Sequence, residues 1–196
     1  MKPLKVAILW HMHQPDYRDP VTGKTLLPWT YLHAVKDYGE MLKTAAEVPG
    51  ARMTFNLVPT MLEQLEDYVA GRASDIWIEA AARPAAALTT EEKTLILTQF
   101  FSVHTDRHIH PFRRYRELAQ RRGTAPEPDI DDFSEQDLRD LQVWFLLSWS
   151  GHHLRRESAL VEYLLIKGEH FSEEEKSQLL ALYARAIGEV AELYRR

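Results

Sequence analysis

Cysteine is absent from the 196 residues, and with it go disulfides and thiolate metal sites. A chain without cysteine suits a reducing compartment, so a cytoplasmic location is expected. Long apolar runs are missing too. No stretch reaches the length that a bilayer crossing needs, and the first residues lack the charged-then-apolar order of a secretory leader. A membrane is not an expected partner. Net basic charge is lacking: 24 Lys and Arg stand against 29 Asp and Glu, a formal charge of −5. No net basic field exists to neutralise phosphates, so nucleic acid is not expected as the main partner. The run Arg113-Arg114-Tyr115-Arg116 reads instead as a solvated helix face. A glycine-rich phosphate loop, a nucleophile elbow and a His-Glu-x-x-His pair are also missing. What is present is ordinary in bulk, 45% apolar and 27% charged. The length suits one domain with a substantial core.

The most distinctive stretch is an apolar run, Val6 to Trp10, that closes on His11-Met12-His13-Gln14-Pro15-Asp16. It reads as a strand over residues 4–9, buried on both sides as parallel strands are. In α/β folds, ligands bind beyond the carboxyl ends of strands. His11 and His13 are two apart and share a face if extended backbone runs through them. Pro15 cannot donate to a ladder, so the strand has ended by then. Two readings stand: a ligand site, or a polar loop whose histidines bond to backbone.

Residues 15–30 form a long irregular segment, of a length that is uncommon unless it works on a ligand or partner. Helical spacing of Tyr31, Val35, Tyr38, Met41, Leu42 and Ala45 predicts a helix over 31–47. Residues 53–58 form the second strand, parallel to the first because a helix joins them. Thr60 is expected to cap a helix to about residue 70. Beyond Gly71 the pattern is almost wholly helical. A short helix over 74–82 stops before Pro84. Thr89 and Glu92 form a capping box for a helix to about 103, and residues 104–111 are a polar break. A helix over 112–122 ends at Gly123, and an acidic linker follows over 126–132. Ser134 caps a helix reaching about Trp149, and Gly151-His152-His153 breaks it. A short helix over 157–166 follows, and a capping box at Ser172 and Glu175 opens the last helix. The expected class is α/β, two parallel strands followed by a mostly helical region. Residues 1–71 hold two β/α units, and residues 72–196 form a helical region of the same domain. Two parallel strands make no self-sufficient sheet, so further strands are expected outside this stretch.

A metal site needs three or four converging ligands, and none is expected here; no cofactor is expected either. His104, His108 and His110 straddle the polar break and read as a solvated loop. His152 and His153, adjacent on a helix, point apart. His33, near the start of the first helix, is placed to face the strand ends. Trp29 and Tyr31 flank the long loop. Trp29 either stacks on a sugar face or plugs the core, since pockets favour aromatic walls. Trp10, Trp144 and Trp149 are expected in the core, and Trp77 is expected partly exposed. Glu63, Glu66 and Asp67 read as a solvated helix face. No acid in a strand or just after one forms a convincing acid–nucleophile pair.

His11-Met12-His13-Gln14-Pro15 resembles the first signature of glycoside hydrolase family 57, where His-Gln-Pro follows the first strand. Leu27-Pro28-Trp29 with Leu32-His33-Ala34-Val35-Lys36-Asp37-Tyr38 is similar to that family's next segment. Phe55-Asn56-Leu57-Val58-Pro59 and Leu62-Glu63-Gln64-Leu65-Glu66-Asp67-Tyr68 are similar to the one after. The similarity from Trp144 to Ser172 is looser. It departs at Gly151-His152-His153-Leu154, where family members carry a more acidic or polar stretch. The resemblance implies an incomplete (β/α)7 barrel acting on α-glucans such as starch, glycogen or maltodextrins. The family holds α-amylases, 4-α-glucanotransferases, amylopullulanases and branching enzymes. They retain anomeric configuration with a Glu nucleophile and an Asp acid/base, and the chemistry requires no metal. His11, His13 and Gln14 would line the subsite of the reacting glucose, with Trp29 and His33 beside it. Neither catalytic signature occurs in this sequence. The chain would then be the N-terminal part of the catalytic domain, inactive alone. Its partners would be an α-glucan and the remaining C-terminal part. Two alternatives stay open: a non-catalytic carbohydrate-binding or scaffolding module, and a metal-dependent deacetylase-like enzyme. An open sheet edge also invites self-association.

Overall fold

The strand, helix, strand order builds two parallel strands, β1 (Leu9–Met12) and β2 (Thr54–Leu57), in a computed structural model that describes residues 4–194. Residues 1–3, and Arg195 and Arg196 at the expected end of the last helix, lie outside the described residues. The register sets Leu9 against Thr54, Trp10 against Phe55, His11 against Asn56 and Met12 against Leu57. Backbone bonds from Thr54 to Ile8 and from Val58 to Met12 extend the ladder at each end.

The first strand lies later than the expected 4–9. Its span is set by the reach of β2, and among the described residues no strand pairs with residues 4–7. Nor is it buried on both sides. Leu4 is 89% exposed, Val6 75% and Trp10 42%, and only Met12 of β1 is buried. Side chains alternate across a strand. Met12, Phe55 and Leu57 pack on the body, whereas Leu9, His11, Thr54 and Asn56 are exposed. Trp10, expected in the core, stands at the rim.

Helix α1 (Trp29–His33) starts two residues earlier than expected and runs through a wide π-helical turn, Ala34–Tyr38, into α2 (Gly39–Ala46). Helix α3 (Pro59–Val69) begins at Pro59, whose ring presets the first helical φ. Val58 therefore stands at the cap. The Thr60 hydroxyl donates instead to the Gln14 carbonyl at 2.9 Å. Helix α4 (Ile76–Ala82) is capped by Asp75, which accepts from Trp77 and Ile78.

Helices α5 (Thr90–Gln99), α6 (Arg113–Arg122) and α7 (Glu135–Ser148) follow, then α8 (His152–Glu157), α9 (Ala159–Lys167) and α10 (Glu173–Leu193). The capping boxes at Thr89 and Ser172 form as expected, and Ser134 forms one with Asp137. The chain breaks after α7 as expected, with Gly151 as the cap of the next helix, and His152 and His153 open α8. The helix expected over 157–166 forms as α9 and starts two residues later, because the Ser158 hydroxyl accepts from the Val161 N–H and caps it.

The core surrounds α7, whose side chains from Leu141 to Ser148 are all buried. Phe100 and Phe145 stack with centroids 4.1 Å apart. Trp77 packs on both rings, only 4% exposed rather than partly exposed as expected. Arg114 is not on a solvated face. Its guanidinium pairs with Asp137 and with the fully buried Asp140, each at 2.8 Å. At the far end of α10, Tyr194 packs on Phe55 and its hydroxyl donates to the Tyr38 carbonyl. One buried apolar cluster thus runs from Met12 to Val190. Among the described residues, no helix is long and apolar enough to cross a membrane.

Candidate functional site

At the carboxyl end of β1 the chain places two imidazoles side by side. The rings of His11 and His13 lie 5.6 Å apart at 30° and are both exposed. His11 pairs in register with Asn56, so both occupy one face at the carboxyl ends of the two strands.

Gln14 turns the other way and is buried. Its Nε2 donates to the Tyr38 hydroxyl and its Oε1 accepts from the Tyr17 hydroxyl, each at 2.7 Å. Burial pushes both phenols above their ordinary values, so both stay neutral, Tyr38 accepting and Tyr17 donating. Gln14 is a clamp between loop and helix. Gln64 completes it. Its Nε2 donates to the Pro15 and Thr60 carbonyls at 2.9 and 3.0 Å, and its Oε1 accepts from the Thr30 hydroxyl at 3.2 Å. Gln64 was not singled out in the sequence. The available signal was an amide on the buried face of α3, between Met61 and Leu65. Replacing Gln14 by Leu strands the buried Tyr38 hydroxyl and the half-buried Tyr17 hydroxyl and is expected to cost about 1–3 kcal/mol. Urea denaturation reads this, with the exposed His11→Ala as a control shifting by less than about 0.5 kcal/mol.

Trp29 and His33 belong to a second locus, a cleft of 490 Å³ whose walls include Trp29, Lys36, His104, His108, Ser148 and Trp149. The Trp29 ring lies 5.8 Å from Trp149 and 5.9 Å from Trp77. His33 meets Trp149 edge-on at 5.4 Å, and its Nδ1 bonds the Asp37 carboxylate. Lys36 pairs with the same carboxylate at 3.4 Å and lies 5.5 Å from the Trp149 ring centre. Burial pushes the Asp37 carboxyl up, but the His33 bond and the Lys36 charge outweigh it and hold the group below its ordinary value.

The five expected residues therefore fall into two groups. His11 and His13 stand on the open strand face, while Trp29 lines the cleft and His33 packs on its wall. Gln14 bridges them, since its partner Tyr38 lies 6.3 Å from the His33 ring. Trp149 is a cleft wall, where a core position was expected. His108, expected in a solvated loop, is half-buried on the same wall because a π-helical turn, Thr105–Ile109, folds it inward. Close packing holds that wall: a side chain at Gly151 would come within 2.7 Å of the Lys36 carbonyl and clash with Glu40.

Among the described residues, no carboxylate lines the cleft. The acids near it in the chain are engaged: Asp37 as above, Glu40 by the His152 N–H at 2.6 Å, and Asp16 by Arg18 at 2.8 Å. Among the described residues, no three His, Asp or Glu side chains gather as a metal site requires.

The model for the family described as "Glycosyl hydrolase family 57" matches residues 7–193 of the chain. No curated protein and no solved structure matches it.

Proposed function

The chain belongs to glycosyl hydrolase family 57, and on that premise we propose that it is the α-glucan-holding N-terminal part of a retaining glycosidase or transglycosylase. The observation that carries this reading is the exposed, stacked His11–His13 pair beside Asn56, at the carboxyl ends of two parallel strands. Two imidazoles on a shared face suit adjacent sugar hydroxyls, and each ring offers one donor and one acceptor when neutral. Gln14 positions this strand end through Tyr38 and Tyr17. Trp29 lines the second cleft and His33 packs on its wall.

Retention requires two carboxyls about 5–5.5 Å apart across the scissile bond. The acids near the candidate site hold the fold instead. The nucleophile and the acid/base then come from further strands, which also cover the open sheet face in an incomplete barrel. By itself this chain binds glucan and does not turn it over. Titration calorimetry with maltoheptaose tests the binding: His13→Ala is expected to weaken it about 10-fold or more, as loss of a hydrogen-bonding group does. Unchanged affinity in both His11→Ala and His13→Ala overturns the site. Reducing-end release by the unaltered chain that disappears in His13→Ala overturns the division of labour.

A non-catalytic carbohydrate-binding module is the second reading, favoured by the Trp29 and Trp149 cleft with no carboxylate on its walls. The reading frame beyond Arg196 separates the two. A strand ending in Glu and a later one ending in Asp support the enzyme. In the isolated chain the uncovered strands favour pairing with a second copy.

A further inference from the structure

The Gln64 side chain reaches both ends of the long irregular segment between β1 and α1. Near the start of that segment its Nε2 donates to the Pro15 carbonyl at 2.9 Å, and its Oε1 accepts from the Tyr17 N–H at 3.3 Å. At the far end the same Oε1 accepts from the Thr30 hydroxyl at 3.2 Å. Pro15 lies two residues after His13, and Thr30 follows Trp29. One amide thus holds both the strand end that carries the imidazole pair and the helix start that carries the cleft tryptophan. Its neighbours on α3 engage the same segment, since residues three and four apart share a helix face. The Thr60 hydroxyl donates to the Gln14 carbonyl at 2.9 Å, and Asp67 and Glu63 pair with Arg18 at 3.0 and 3.4 Å. Of these four side chains only Gln64 is buried, at 3% exposure. Water cannot replace its bonds, so they weigh more than those at the rim.

We propose that Gln64 is a positioning residue for glucan binding, one that touches no substrate and acts by fixing His13 and Trp29 relative to each other. This rests on the reading of the His11–His13 face as the glucan site. Binding groups must be held close to their working geometry by the side chains behind them. Without the amide, the buried Thr30 hydroxyl loses its acceptor and the Pro15 carbonyl its donor. The segment then samples other arrangements, and affinity falls with the fraction of molecules that keep the binding one.

Calorimetry with maltoheptaose and proton NMR of the imidazoles test this on the full chain, with circular dichroism confirming that each variant is folded. Gln64→Leu removes every bond. It is expected to weaken maltoheptaose about 5-fold or more and to move the His11 and His13 ring resonances in the absence of ligand. Glu66→Ala, exposed on the same helix, should match the unaltered chain in both. Gln64→Glu separates positioning from stabilisation. Its carboxylate keeps the acceptor for Tyr17 and Thr30 but sets lone pairs against the Pro15 and Thr60 carbonyls. Protonated, it regains one donor, and burial raises the pH at which it does so. Its affinity relative to the unaltered chain at the same pH should therefore recover between about pH 8 and about pH 5. Gln64→Glu carries the test alone if Gln64→Leu does not fold. Unaltered affinity in folded Gln64→Leu and in Gln64→Glu at the higher pH overturns the proposal and leaves the glucan site standing. So does weakened affinity with unmoved ring resonances. If the unaltered chain binds no maltoheptaose, the glucan reading itself falls, and the role of Gln64 with it.

Discussion

Replacing Arg114 by Met is expected to remove about 3–5 kcal/mol of folding stability at neutral pH, the cost of stranding buried charge. Arg114 sits on α6 and reaches two acids of α7. Asp140 is wholly buried, and its second oxygen is taken by the Gln136 amide and the Phe171 N–H. Without the guanidinium, one buried carboxylate oxygen faces the protein unpaired. The pH dependence has a definite sign. Burial pushes the Asp137 carboxyl up, but its Ser134 bonds, Arg114 and Arg121 outweigh this and hold it below 3.8. A carboxyl depressed in the folded state contributes stability that is present above its unfolded value. That contribution disappears as pH falls through the folded value. The gap between wild type and Arg114→Met should therefore be full above about pH 5 and narrow in acid. Urea unfolding at pH 7 and near pH 3 measures it. Equal destabilisation at both would show that lost packing, not charge, is the cause.

Trp144→Ala is expected to cost about 3–5 kcal/mol, the range for deleting a buried aromatic ring. The Trp144 ring is 1% exposed, lies 4.6 Å from Phe112 and 5.9 Å from Tyr115, and donates Nε1–H to the Gly168 carbonyl at 3.0 Å. It ties α6, α7 and the turn after α9 together, so the void cannot close without moving three elements. Trp10→Ala removes the same atoms from a rim position and should cost less than about 1 kcal/mol. Denaturant midpoints of the two variants compare them directly. If Trp10→Ala proves the costlier, stability is centred on the sheet rather than on α7.

That contrast marks where the sequence is legible. The helix starts at Thr89, Ser134 and Ser172 could be read because a capping hydroxyl and its target N–H lie within three residues. The parallel pairing of β1 and β2 followed from the helix between them. The His-Gln-Pro strand end was recognisable as a local word. Trp10 and Trp77 exchanged their expected burial. An apolar side chain is buried only if something covers it, and its cover comes from tens of residues away.

Composition and short-range pattern by themselves determined the absence of cysteine chemistry in this sequence, the order of most elements and the caps at Thr89, Ser134 and Ser172, and the His-Gln-Pro motif pointed to the family. Tertiary structure alone decided which face of the strands stays open. It decided that Gln14 and Gln64 clamp the loop. It also decided that Arg114 is buried against two acids, and that Trp29, Lys36, His108 and Trp149 enclose one cleft. The division is physical. A cap or a crossover is settled by bonds among near neighbours. Burial, charge pairing and cavity shape depend on elements packed from afar, which no local pattern encodes.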